Sequence, residues 1–286
     1  MTRCDWNHVA HIGISIIKEQ VQRLQGPITL RRIFYLFVSN GLIENKHSHY
    51  TRLSQISSRW RKEGLLDWRY ITDETRETID PPIYPVEYLR LPEPKDFMND
   101  PTPEQDNYIE VWVEKAGNIP ILRPICEKFF VRLINAGGNA SDTFKHQVAH
   151  RLMKYENDMP CYILYISDMD PSGEHMPIHL NEWLRENYDI RVHVNKIILT
   201  GQQIEDFNLL KIAKDYSGTH KKQHVQDFLK KYGSIQVEID AMDISDIQNI
   251  TEEHLSSFIS LDIIESVKQE SIEQATIRLN ELLEVE

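Results

Sequence analysis

The feature that most restricts the fold is the segment Tyr162-Ile163-Leu164-Tyr165-Ile166-Ser167-Asp168-Met169-Asp170-Pro171-Ser172-Gly173. Its first half is continuously apolar rather than alternating, which predicts a strand covered on both faces, as in a parallel sheet. Two acidic residues spaced by one close the run, and Pro171 and Gly173 then stop the strand and begin a new element. In parallel sheets, ligands and chemistry collect at the carboxyl ends of the strands. Asp168 and Asp170 are expected there, as two hard oxygen donors suited to Mg²⁺. A second apolar run, Tyr108 to Val113, ends in Glu114-Lys115 in the same manner.

Strands and helices alternate around these two runs. A helix opens near Pro120, a strand lies near 131–134, and Ser141 caps a helix to about Tyr155. The central strand at 161–167 is followed by a helix at 172–187, a strand at 190–199, and a helix begun by Thr200. A strand at 235–239 and a helical C-terminus complete the pattern. Such alternation predicts an α/β domain over 108–286, with helices on both faces of a parallel sheet.

The first 76 residues read differently. Apolar residues recur at helical spacing over 9–24, and Gly26-Pro27 breaks that helix. Thr29 caps a second helix to about Ser39, closed by Gly41; a third runs over 50–63 and ends at Gly64. With a short wing strand at 68–72, this is the pattern of a winged helix-turn-helix, whose last helix enters the DNA major groove. Arg52, Arg59, Arg61 and Lys62 lie on that helix, available to phosphates and base edges. Residues 77–107, rich in Pro, Asp and Glu, read as a linker.

The net charge of −12 argues against nucleic acid only until its distribution is considered. Residues 1–100 carry +1 and residues 101–286 carry −13, while 18–69 alone carry +6. A locally basic module on an acidic body is compatible with double-stranded DNA as a partner. No apolar run nears the roughly 20 residues that span a bilayer, and no signal peptide is evident, so a cytoplasmic protein without a membrane partner is expected. Cys4, Cys126 and Cys161 form no disulfide framework.

Within the basic module, Arg31 and Tyr35 are four apart and share a helix face. The pair suits phosphoryl chemistry: the guanidinium holds a phosphate and the phenolic oxygen attacks it. A free phenol has a pKa of about 10, so a cation or metal must assist it. The histidine pairs His146/His150, His175/His179 and His220/His224 have helical zinc spacing. Pro177 interrupts one pair and no Cys joins any, so solvated faces are the simpler reading. His175 lies close to the Asp-x-Asp loop.

Glu114 at one strand end and Asp-x-Asp-Pro-x-Gly at another together resemble the Toprim domain, the metal-binding fold of topoisomerases, primases and some nucleases. With the basic module and Arg-x-Ile-Phe-Tyr, the chain from about Gly26 to Met242 resembles the A subunit of topoisomerase VI and the related meiotic double-strand-break proteins. It is most similar to their compact stand-alone mini-A relatives. Tyr35 matches the tyrosine that forms a 5′-phosphotyrosyl bond, and Arg31 the motif's arginine. Arg32 stands where that family has an acidic residue. Glu114, Asp168 and Asp170 match the Toprim acids, which implies Mg²⁺ bound by all three, or Glu114 as general acid or base. Val237-Glu238-Ile239-Asp240-Ala241-Met242 resembles the family's Glu-x-Glu-Ala-Leu segment.

The resemblance implies a homodimer in which each tyrosine meets the partner's metal site, and with no nucleotide-binding loop present, ATP use would need a B-subunit-like ATPase partner. Two alternatives stand beside it: a Toprim nuclease of phage or plasmid defence using water, with Tyr35 structural, and a non-catalytic DNA-binding regulator.

Overall fold

The computed structural model describes residues 5–72, 92–137, 142–219 and 221–283. The chain opens with α1 (Trp6–Leu24), whose first N–H groups are satisfied by the Asp5 carboxylate. After β1 (Ile28–Thr29) comes α2 (Leu30–Ser39), where the Thr29 hydroxyl accepts from the Arg32 N–H at 3.1 Å, as the sequence predicts for a cap. The third helix, α3 (His47–Lys62), starts three residues earlier than expected. The wing expected at 68–72 is a 3₁₀ turn at Trp68–Tyr70 followed by β2 (Ile71–Thr72), which pairs parallel to β1. The Asp67 carboxylate accepts from the Arg69 N–H and holds the turn. The mate for β2 is the strand before α2, so no hairpin forms.

The body follows the expected alternation. β3 (Tyr108–Val113), α4 (Ile119–Lys128), β4 (Arg132–Asn135), α5 (Asp142–Leu152), β5 (Cys161–Ile166), α6 (Pro171–Tyr188) and β6 (Val192–Ile198) succeed one another. All four strands are parallel in the order β4-β3-β5-β6. The chain leaves β3 toward one edge and β5 toward the other. The switch between these two strands opens a crevice above their carboxyl ends, where open α/β sheets bind ligands.

Beyond the sheet, Thr200 caps α7 (Gly201–Asp206) in a capping box with Gln203. Short β7 (Ile212–Ala213) pairs antiparallel with β8 (Ile235–Gln236) across α8 (Gln223–Tyr232). The strand expected over 235–239 ends at Gln236. Val237 makes a single antiparallel bridge to Met169, and a 3₁₀ turn at Ile239–Ala241 follows. That bridge pulls the turn over the end of β5. Helices α9 (Ile244–Ser256) and α10 (Leu261–Leu283) complete the chain. Among the described residues, no helix is long and apolar enough to cross a membrane.

Period-2 alternation sends the side chains of each strand to two faces. Ile109, Val111, Val113, Leu164 and Ile166 join a core that includes α4 and α9. Tyr108, Trp112, Ile163 and Tyr165 join a second one under α5 and α6. The first core continues into Ile17, Ile33, Phe37 and Leu53, so the N-terminal helices share it with the sheet. Of the linker residues, 77–91 lie outside the described residues, while 92–107 run along α10. There the Asn99 N–H donates to Ser271 Oγ, and Gln105 and Asn107 donate to the carbonyls of Ser260 and Phe258.

Arg32, only 2% exposed, ties α2 to the body. Its Nη2 donates to the Met242 carbonyl at 2.9 Å, and Nη1 lies 3.9 Å from Asp240. Truncating Arg32 leaves the Met242 carbonyl without that donor, a cost of about 1–3 kcal/mol, while Asp240 keeps Lys115 and Arg31. Arg32→Ala should therefore lower unfolding stability by roughly that amount, read from urea midpoints. A change below about 1 kcal/mol would mean that Arg32 does not anchor α2.

Candidate metal and nucleic-acid site

The acids expected in one cluster are divided by the same alternation that builds the two cores. Continuing past the last ladder pair, Lys115 and Asp168 fall on the face of the N-terminal helices, whereas Glu114 falls on the face of Tyr165. Asp170 stays at the strand end as N-cap of α6, its carboxylate accepting from the Gly173 N–H at 2.8 Å. A Cβ on Gly173 would lie 2.2 Å from the Asp168 carbonyl oxygen, so only glycine lets the helix begin this close to the strand.

On the first face, the Lys115 ammonium is enclosed by carboxylates. It lies 2.5 Å from Asp168 Oδ2, in contact with Glu238 Oε2, and 3.5 Å from Asp240 Oδ2. Arg31 reaches the same group from α2, 2.7 Å from Glu238 and 3.6 Å from Asp240. The Ile239 N–H donates to Asp168 Oδ1 at 2.9 Å. Burial would lower the lysine pKa, but Asp168, Asp240 and Glu238 outweigh it and raise it. Burial pushes Asp168 up against the pull of Lys115. Burial would raise Glu238 too, yet Lys115 and Arg31 hold it well below the usual carboxylate range.

On the other face, burial and then the Asp170 charge raise the pKa of Glu114. Its Oε2 is buried with no hydrogen-bond partner among the described residues. Lys115, the Asp168 N–H and Lys196 offset part of the rise, and the two neighbouring carboxylates are hard oxygen donors of the kind that fits a Mg²⁺ ion. In this conformation, no three His, Cys, Asp or Glu side chains among the described residues are close enough to grip one. Asp168 is engaged with Lys115 instead. Lys196 stands between the two groups, donating to the Asp168 carbonyl at 2.8 Å and pairing with Glu174 at 2.7 Å.

Tyr35 comes to the lysine side of this arrangement. The Arg31 guanidinium lies 5.8 Å from its ring centroid, the i,i+4 pairing that the sequence predicts. Burial raises the phenol to about 12, the Glu238 charge adds to this, and Arg31 and Lys115 oppose it. The nearby cations therefore do not activate the hydroxyl at rest. It is protonated at neutral pH, next to a carboxylate of its own chain.

Of the four basic residues on α3, only Arg61 faces this region. It lines a cleft of about 630 Å³ together with Thr29, Arg31, Tyr50, Lys115 and Asp240. Its guanidinium packs 4.7 Å over the Trp68 ring. Arg52 and Arg59, seven residues apart, lie on another stripe, where Arg52 bonds Gln55 and Arg59 pairs with Glu63 at 2.7 Å. Lys62 is exposed. The helix thus divides its charges between the cleft and open solvent.

Sequence reasoning passed over Lys115, Lys196, Glu174 and Tyr50, and assigned no role to Glu238 and Asp240. The signal for the last two was present, since Glu238-Ile239-Asp240 repeats the acid-x-acid spacing of Asp168-Met169-Asp170. Nothing in the sequence marks Lys196 as buried. No model of a known protein family matches the chain, and no curated protein matches it significantly.

If Glu114 and Asp170 hold a cation, millimolar Mg²⁺ should raise the melting temperature of the wild type by a few degrees. Glu114→Gln/Asp170→Asn keeps both shapes and an N-cap amide, and should lose that shift in a thermal-denaturation series. Equal shifts in both proteins would place the cation elsewhere.

Proposed function

We propose that the chain cleaves DNA in the manner of the topoisomerase VI A subunit, with Tyr35 as nucleophile. In this reading the N-terminal helices act as a winged-helix-type DNA module and the sheet as a Toprim domain. The observation that carries it is the meeting of Tyr35, Arg31, Lys115, Asp168 and Glu238 at the carboxyl end of β3 and β5. These residues come from segments up to 207 positions apart. Three cations (Arg31, Arg61, Lys115) and the Asp240 carboxylate line one cleft, and Tyr35 stands beside Arg31 with Glu238 next to it; these are the parts that phosphoryl transfer requires.

A phosphodiester entering the cleft draws Arg31 and Lys115 toward its oxygens. Glu238 then loses the cations that hold its pKa down, and burial makes it a better proton acceptor. Tyr35 passes its proton to Glu238 as its oxygen bonds to phosphorus. The bond from phosphorus to the 3′-oxygen breaks, Lys115 returns a proton to that oxygen, and the 5′ end remains on the tyrosine. Glu114 and Asp170 would hold Mg²⁺, which would supply positive charge to the phosphoryl oxygens, while Asp168 stays with Lys115. Tyr35 lies beside the carboxylates of its own chain, so this reading does not need a partner's acids. A double-strand break still calls for two chains, one per strand.

A hydrolytic nuclease is the second reading, favoured by the burial of Tyr35 beside Glu238, which makes the phenol harder to deprotonate than a free one. Supercoiled plasmid incubated with protein and Mg²⁺, then treated with detergent with and without protease, separates the two. Tyr35→Phe should reduce cleavage at least about 100-fold, and wild-type protein should remain attached to 5′ ends. Wild-type rates in Tyr35→Phe with free 5′-phosphates would leave the hydrolytic reading in its place. For DNA binding, Arg61→Gln should lower the salt slope of log K by about 1. Arg59→Gln, on the solvent stripe, should change it less. The reverse order would put the duplex on the outer face of α3.

A further inference from the structure

The face of the sheet turned away from the N-terminal helices holds a second cavity, of about 360 Å³, reached by side chains of α5, α6 and α8. Trp112, Lys145, Tyr165, His175, His179 and His224 line most of it. No carboxylate is among the described lining residues, although the chain as a whole carries −12. The histidines arrive from two helices. His175 and His224 stack with centroids 4.5 Å apart and planes 7° from parallel, and the His179 ring is centred 5.7 Å from that of His175. The Lys145 ammonium enters from α5, 4.8 Å over the Trp183 ring.

The decisive group is Tyr165. Its residue is 1% exposed, it lines the cavity, and its hydroxyl has no hydrogen-bond partner among the described residues. A buried hydroxyl without a partner is costly, and such groups in native proteins call for an explanation. The hydroxyl shares the cavity with His175, His179, His224 and Lys145, whose N–H groups can donate to an oxygen-rich anion, while the Glu114 carboxylate also acts on it from the end of β3.

We propose that this cavity binds a phosphoryl group, with the Tyr165 hydroxyl and the histidine N–H groups donating to its oxygens and Lys145 supplying charge. The volume exceeds that of phosphate alone and leaves room for an attached sugar or base. The same helix, α6, carries Asp170 at its start and His175 and His179 one and two turns later, so the site lies directly behind the acid-x-acid loop. The group comes either from a free nucleotide or from the 5′-phosphate end of a DNA strand.

The test follows the imidazole resonances of His175, His179 and His224 by NMR while wild-type protein is titrated with inorganic phosphate at constant ionic strength. Saturable shifts of all three are expected, with affinity about tenfold weaker in Tyr165→Phe, the loss of one hydrogen bond to a charged group, and in Lys145→Met. Tyr165→Phe removes an oxygen that has no hydrogen-bond partner among the described residues, so it should fold and melt at or above the wild-type temperature. Tighter binding of adenosine 5′-monophosphate than of phosphate identifies the nucleotide source. Tighter binding of a 5′-phosphorylated oligonucleotide than of its 5′-hydroxyl form identifies the DNA end. Absence of saturable shifts in the wild type, or equal affinity in Tyr165→Phe, overturns the proposal. Tyr35→Phe leaves this cavity intact, so failure of DNA cleavage and failure of this site are read separately.

Discussion

The ammonium of Lys115 is the contact on which the arrangement at the strand ends depends. It brings together Asp168 from the end of β5 and Glu238 and Asp240 from the turn after β8. Three carboxylates this close repel one another strongly in a low-dielectric setting, and the cation removes that repulsion. Arg31 and Arg32 extend the same compensation to α2. The N-terminal helices therefore meet the sheet through charge as well as through the shared apolar core.

Parallel strand topology makes the crevice, and strand pleating divides it. Because β3 and β5 run on to opposite edges, their carboxyl ends are left open between the crossing helices. Because side chains alternate, neighbouring residues at those ends serve different faces. Glu114 and Lys115 are adjacent in sequence, yet one joins Asp170 and Tyr165 while the other joins the Asp168 group. A two-sided site follows, with cations crowded among acids on one side and, on the other, a carboxylate oxygen that has no hydrogen-bond partner among the described residues.

Charge on α3 illustrates how local fields differ from composition. The chain is acidic, but the cleft beside Tyr50 is lined by Arg31, Arg61 and Lys115. Helical geometry separates Arg61 from Arg59 although they are two residues apart, so a run of basic residues becomes two distinct surfaces.

Much of the architecture was legible in the chain itself. The continuous apolar run at 161–166, its Asp-x-Asp-Pro-x-Gly ending and the alternation around it fix a parallel α/β sheet, because few other arrangements bury such strands on both faces. Thr29 and Thr200 announced their helices through capping chemistry that is local in sequence. The pairing of β2 with β1 was not legible, since it joins strands 43 residues apart and depends on how α2 and α3 fold between them. Nor did sequence reveal that Arg32 is buried, that Lys115 occupies the centre of the acids, or that Tyr165 lacks a hydrogen-bond partner among the described residues. Those are decided by distances between segments over a hundred residues apart, which only the packed tertiary structure sets.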